Sequence, residues 1–235
     1  MKHGLIRIAA CLVRLYYRVF YRVHIVGRHR LWRLKQGPLL VAGNHVSMND
    51  PVLLSAFLSP SIRFMAKEEL FRVPGVSWLI RRMGAFPVNR RGVGIGAIRT
   101  GLRILEQQGV VGIFPEGTRN RAQGLLPAKP GVGFLAVRTG SVILPVAITL
   151  RPRRVFRRNY ILIGRPIVVE PNAWADSRAL SRQVMAAVDD LLARVPTPDR
   201  AWGRGIHARP APTLSAPLQE ESDGQYETGA PDGSG

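Results

Sequence analysis

Acidic residues are scarce in this chain. Its 235 residues hold 15 Asp and Glu against 34 Lys and Arg, a formal net charge of +19. From Gly203 onward five Asp or Glu stand against two Arg, so residues 1–202 carry the balance of +22. So basic a surface calls for a polyanionic neighbour: nucleic acid, anionic lipid or a phosphorylated substrate. Cys11 is the only cysteine, which excludes an internal disulfide and a cysteine-based zinc site and fits a reducing compartment. Aromatic residues make up only 7% of the chain, with no evident stacking platform for nucleic-acid bases. No stretch approaches the ~18 consecutive apolar residues of a spanning helix. The uncharged run Ile8–Val13 is too short for a secretory leader, and arginines continue beyond it. Catalytic signatures are missing too. There is no G-x-S-x-G elbow, no zincin spacing of His and carboxylate, and the glycines of "GVGIGAIRTG" complete neither a dinucleotide nor a Walker pattern.

Apolar residues, at 46%, are plentiful enough to bury a sizeable core. Residues 5–22 read as a helix with Arg7, Arg14, Arg18 and Arg22 in one narrow arc. Leu5, Ile6, Ala9, Leu12, Val13, Tyr16, Tyr17 and Phe20 cover much of the rest. A basic stripe on an apolar helix suits a membrane interface, where each basic residue near an anionic leaflet contributes about 1 kcal/mol. The competing reading is a core helix with one solvated face. After it the chain alternates in the manner of an α/β domain. Strands are expected at 22–27, 38–43, 62–66, 85–88, 110–115, 141–150 and 160–169. Helices are expected at 51–58, 76–84, 95–108, 131–139 and 177–194, with Gly109 and Gly140 closing two of them. The architecture is thus a single α/β domain, a central mixed sheet flanked by helices and preceded by the N-terminal amphipathic helix. Residues 1–22 form that helix, 23–195 the catalytic domain, and 196–235 a Pro- and Gly-rich acidic tail too poor in apolar surface to order itself.

Three loops could carry chemistry. In "GNHVSMNDP", residues 43–51, Asn44 and His45 end an apolar strand and Asp50 precedes Pro51. Asp50–Pro51 is a natural helix cap and first turn. If 45–50 were helical, the His45 and Asp50 side chains would point about 140° apart, so they can meet only across a loop. In a loop, the carboxylate would hold one ring nitrogen and leave the other as a base. In "GIFPEGTRNR", residues 112–121, Glu116, Gly117, Thr118 and Arg119 follow a buried strand. Gly117 permits a tight turn, and Arg119 offers a fork suited to phosphate. The plain alternative is a polar turn with a surface ion pair. In "MGAFPVNRRG", residues 83–92, a short strand delivers Arg90 and Arg91 to a turn.

Taken in order, these loops resemble the glycerolipid acyltransferases typified by the 1-acylglycerol-3-phosphate acyltransferases. The Asn-His-x4-Asp motif is Asn44, His45 and Asp50; "GAFPVNR" centres the second motif on Arg90; Phe114–Arg119 is the complete third; and "ILPVAI" around Pro145 is the fourth. The resemblance covers about residues 20–170 and implies transfer of an acyl group from acyl-CoA or acyl carrier protein to the sn-2 hydroxyl of lysophosphatidic acid. A thioester is already activated, so no enzyme nucleophile is required. The resemblance makes His45 the general base and Asp50 its orienting acid. It puts Asn44, Arg90, Glu116, Gly117, Thr118 and Arg119 at the substrate, with Arg90 and Arg119 on the acceptor phosphate. It implies no metal and no bound cofactor, an anionic membrane surface as partner, and a peripheral or monotopic enzyme on the cytoplasmic face of the cell membrane. Another lysolipid or phosphoglycolipid acceptor would use the same base. A basic nucleic-acid-binding protein is the remote competitor: charge alone allows it, but no nucleic-acid module is present and no specific nucleic acid is expected.

Overall fold

The central strands of this chain are short, almost wholly apolar and buried along nearly their whole length, the signature of strands covered on both faces. The computed structural model describes residues 2–35, 37–59, 61–82, 84–88, 95–120, 124–149, 155–169 and 176–195. The strands are β1 (Val23–Val26), β2 (Leu39–Gly43), β3 (Ile62–Lys67), β4 (Phe86–Val88), β5 (Val110–Ile113), β6 (Val142–Ile148) and β7 (Asn159–Ile163). They form one seven-stranded sheet in the order β1-β7-β6-β2-β5-β3-β4. Every pairing is parallel except that of β6 with β7, so the sheet is mixed, as expected.

Helices cover both faces because consecutive strand residues point to opposite sides. Leu39 and Val41 of β2 and Leu144 and Val146 of β6 turn toward α1 (Lys2–Tyr21) and α2 (Asp50–Phe57), where they meet Tyr17, Leu53, Leu54 and Phe57. Leu40, Ala42 and Ile143 turn the other way, onto α4 (Ile95–Glu106), α5 (Gly131–Thr139) and α6 (Ser177–Ala193). A short α3 (Val76–Arg82) precedes β4.

Four local expectations need correction. The strand expected over 160–169 ends at Ile163; only Ile167 rejoins the sheet, bridging Ile143. Gly109 does not itself take the left-handed turn that ends α4. Gln108 does, at φ 58°, and Gly109 N then donates to Ile104 O at 2.9 Å. Asp50 is the first residue of α2 rather than its cap; Asn49 holds the cap position and makes no side-chain capping bond. On α1 the basic stripe is not wholly solvated: Arg14 turns inward and donates to Ala56 O of α2. Val13, Tyr17 and Tyr21 make the inward face. Ile8, Leu12, Leu15, Tyr16, Val19 and Phe20 stay exposed, which contradicts a core helix with a polar outer face. The side chains of Leu5, Ile6, Arg7 and Ala9 and the whole of residues 196–235 lie outside the described residues.

One cross-strand pair depends on a missing side chain. Phe64 of β3 stands in register with Gly112 of β5, and its ring fills the space above the glycine. A Cβ at position 112 would come within 2.1 Å of Phe64 Cε1. Gly112→Ala is therefore expected to lower unfolding free energy by about 1–3 kcal/mol through overpacking. Adding Phe64→Leu should restore part of that loss. Strictly additive effects in urea titrations would show that the two positions do not share this space.

Candidate active site

The topology brings two loops together. β2 and β5 are parallel neighbours with Ala42 beside Ile113, so the chain leaving β2 at Gly43 runs beside the chain leaving β5 at Phe114. Open α/β sheets hold their sites at such carboxyl ends. Asn44 continues the ladder with its side chain. Fully buried, it donates from Nδ2 to Ile148 O at 2.9 Å and accepts from Ile148 N at Oδ1 at 2.8 Å. Read from sequence as a substrate contact, Asn44 instead ties the loop to the end of β6.

His45 Nδ1 lies 2.8 Å from Asp50 Oδ2. The same oxygen accepts from Val46 N and Ser47 N, each at 2.8 Å. Backbone amides can only donate, so the carboxylate is held as an acceptor and Nδ1 carries the proton toward it. Nε2 is thereby left with its lone pair. Asp50 is fully buried, and its Oδ1 has no partner among the described residues. Burial pushes its carboxyl above the usual carboxylate range, against the opposing pull of His45, Ser47 and Val46. A buried, more basic carboxylate holds an imidazole N–H more firmly. Burial raises the pKa of the Tyr17 phenol to about 12, with the nearby Asn49 side chain pulling the other way.

The imidazole ring is set by stacking. His45 lies on Phe114 with centroids 4.2 Å apart and planes 12° apart, and Phe114 lies on Phe64 at 5.6 Å and 17°. Gly112 makes room for the last ring, so a stack of three rings begins at a missing side chain. The His45 side chain keeps 12% of its surface exposed, enough to present one edge.

The second loop clamps the first. Glu116 is 2% exposed; its Oε1 accepts from His45 N at 2.9 Å and its Oε2 from Leu126 N at 3.1 Å. Asn120 N donates to His45 O at 2.7 Å. With 116 and 120 both fixed to the histidine backbone, Gly117, Thr118 and Arg119 bulge between them as an exposed turn. Gly117 sits at φ 68°. Glu116 is thus a buried brace, and no ion pair joins it to Arg119. Arg119 has no acidic partner among the described residues. Arg90 and Arg91 lie outside the described residues.

Lys129 was missed by sequence reading. It lies ten residues beyond Arg119, in an irregular stretch with no periodic signal. Lys129 N donates to Pro115 O at 2.8 Å, and its chain crosses Gly117 so closely that a Cβ there would stand 2.9 Å from Nζ. The turn thus has a second exposed cation with no acidic partner among the described residues. Among the described residues no group of three or more His, Cys, Asp or Glu could hold a metal ion.

Comparison with known proteins bears on the family and the fold. The family model described as Acyltransferase matches residues 22–149. The chain is 34% identical over 117 residues to the 1-acyl-sn-glycerol-3-phosphate acyltransferase of Borreliella burgdorferi, a match covering 48% of this chain and 46% of that protein. It is 29% identical over 157 residues to the protein of that description from Bacillus subtilis, covering 65% and 76%. The crystal structure of the 1-acyl-sn-glycerophosphate acyltransferase of Thermotoga maritima superimposes with a TM-score of 0.61 at 28% identity, covering 74% of this chain and 73% of that one. The chain thus spans 46% of the first relative's length and 76% of the second's.

If Glu116 is a brace, replacing it should register in stability. Glu116→Gln keeps one acceptor oxygen but turns an amide NH2 toward a buried backbone donor. It is expected to cost about 1–3 kcal/mol in chemical unfolding. Unfolding unchanged from wild type would return Glu116 to the role of a surface residue.

Proposed function

The chain belongs to the acyltransferase family, and from that premise we propose that it transfers a fatty acyl group from acyl-CoA or acyl carrier protein to the sn-2 hydroxyl of lysophosphatidic acid, giving phosphatidic acid. The observation that carries the proposal is the His45–Asp50 pair at 2.8 Å, its carboxylate held by two backbone amides, beside an exposed turn whose cations have no acidic partner among the described residues. His45 Nε2 takes the acceptor hydroxyl proton as the oxygen attacks the thioester carbonyl. Asp50 stabilises the imidazolium that forms. Collapse of the tetrahedral intermediate breaks the C–S bond, and the departing thiolate takes the proton back from Nε2. The acceptor phosphate is held by Arg119 with Lys129 beside it, and by Arg90 on the evidence of the sequence motif. Thr118 and the turn amides around Gly117 complete its surroundings, while Glu116 and Asn44 act through the backbone they hold. The names of the similar proteins support lysophosphatidic acid as the acceptor.

The acceptor and both acyl chains belong to a bilayer, and we place the enzyme on an anionic membrane surface, at the cytoplasmic face. No helix among the described residues is long and apolar enough to cross a membrane. The outward row of α1, Ile8, Leu12, Leu15 and Val19, repeats at four-, three- and four-residue steps along one side of the helix. At 100° per residue Arg18 falls along one flank of that row, and Arg22 follows just past the end of the helix in a left-handed conformation; both are exposed. An apolar floor with a cationic flank is the geometry of a helix lying in the interface.

Two experiments test the reading. His45→Ala should lower thiol release from acyl-CoA with lysophosphatidate by about 10²- to 10⁴-fold. Asp50→Asn should lower kcat by a comparable factor with KM nearly unchanged, since the hydrogen-bond shape survives but the charge does not. Normal turnover by folded His45→Ala would end the mechanism, and a higher kcat/KM for a different lyso acceptor would reassign the substrate. For the membrane, the double variant Leu12→Glu, Leu15→Glu should lose sedimentation with anionic vesicles, and retained sedimentation would remove α1 from the surface.

A further inference from the structure

The turn between β6 and β7 lies outside the acyl-transfer chemistry, yet its described end is built at a cost. Val155 and Phe156 are exposed, Phe156 at 64%, and Arg157 and Arg158 follow them, also exposed and without an acidic partner among the described residues. Phe156 adopts φ 59°, a left-handed conformation that bulky side chains avoid. A turn needing only that backbone shape would take glycine or asparagine.

The end of α1 holds the strained residue in place. Phe156 N donates to Phe20 O at 2.6 Å, Asn159 Nδ2 to Tyr21 O at 2.7 Å and Asn159 N to Arg22 O at 3.4 Å. The first two are carbonyls that a helix leaves open at its C-terminus. The Phe156 ring lies 6.0 Å from that of Phe20, which ends the outward apolar surface of α1. Val155 and Phe156 therefore extend that surface past the helix, and Arg157 and Arg158 add to the charge of Arg18 and Arg22.

We infer that residues 155–158 are a second membrane-contact element, in which Phe156 and Val155 enter the headgroup–acyl boundary of an anionic bilayer and Arg157 and Arg158 engage lipid phosphates. An apolar tip with cations directly behind it matches a bilayer, where anionic charge overlies hydrocarbon. A helix resting on a membrane can roll about its axis. A second contact removes that freedom and sets the height of everything on the same sheet edge. The catalytic loop is on that edge: β6 ends at Ile148, whose backbone Asn44 holds, and the turn leaves from there.

The inference rests on the reading that α1 lies on a bilayer, but the two fail separately. The test uses the full chain, sedimented with phosphatidylcholine vesicles with and without phosphatidylglycerol. Phe156→Gly relieves the left-handed strain, so its melting midpoint should equal or exceed that of wild type. Its partitioning should nevertheless fall about tenfold, the loss expected for one inserted aromatic side chain. The exposed pair Arg157→Gln, Arg158→Gln cannot disturb the core. It should weaken binding to the anionic vesicles alone, with the difference vanishing at high salt. Acyl transfer to a solution-dispersed short-chain acceptor should stay unchanged in both. Wild-type partitioning of Phe156→Gly overturns the inference, as does a loss for the arginine pair that is equal on both vesicle types. So does a lipid-free dimer of the wild type that Phe156→Gly dissolves, because the face would then join copies of the chain. If Leu12→Glu, Leu15→Glu binds normally while Phe156→Gly does not, only the placement of α1 fails.

Discussion

One carboxylate oxygen organises the catalytic loop. Asp50 Oδ2 gathers three donors from three consecutive residues, His45, Val46 and Ser47, and that convergence holds residues 45–49 out of helical form. Desolvating a carboxylate costs several kcal/mol unless its lone pairs are used. Here two of the donors are backbone amides that any loop sequence would supply, and the third is the imidazole. The buried charge therefore enforces the tautomer of His45 and the path of the chain together. It also explains why α2 begins without a side-chain cap. The Asp50 carboxylate is turned back onto the loop, and Asn49 at the cap position makes no side-chain capping bond.

A second buried acid completes the frame. Asp50 and Glu116 are the buried acids among the described residues, and both are bonded to backbone amides of the site. A protein this rich in cations could have spent them on its arginines. Because it does not, Arg119 and Lys129 stand beside the histidine with no acidic partner among the described residues, and the turn presents positive potential to an anionic acceptor. The negative charge that holds His45 is kept in the interior, while the positive charge of Arg119 and Lys129 remains at the surface.

Most of the sheet was readable because strands covered on both faces are plain apolar runs, and "PLLVAG", "VVGIFP" and "SVILPVAITL" admit little else. The His45–Asp50 pairing was readable as a possibility, since five-residue spacing excludes contact within a helix. Its amide anchors were not, because backbone donors leave no trace in a sequence. The ring stack was invisible for a different reason. Gly112, Phe64 and Phe114 come together only through the register of β3 on β5, which no local pattern reports. Lys129 depends on how an irregular segment folds back over Gly117. α1 misled in an instructive way. Both of its broad faces are apolar, so periodicity identified a helix with a basic arc but not which apolar face would be buried. Val13, Tyr17 and Tyr21 won because two of them are phenols able to fill the space beside α2 and the catalytic loop.

In the proposed membrane-bound arrangement, that choice of face links the surface to the chemistry. Tyr17 points inward to Asn49, next to Asp50, while Leu15 and Val19 on the same two turns point outward. The helix is therefore a single rigid spacer between the apolar exterior and the loop that carries the base. At its end, the carbonyls of Phe20 and Tyr21 are closed by the strained turn that displays Phe156. The strain at Phe156 has no role in the packing of the core, because its side chain is exposed. It persists because three hydrogen bonds to the end of α1 over-determine the backbone there. The conformation is thus held against its own preference at the point where the apolar helix face would otherwise stop.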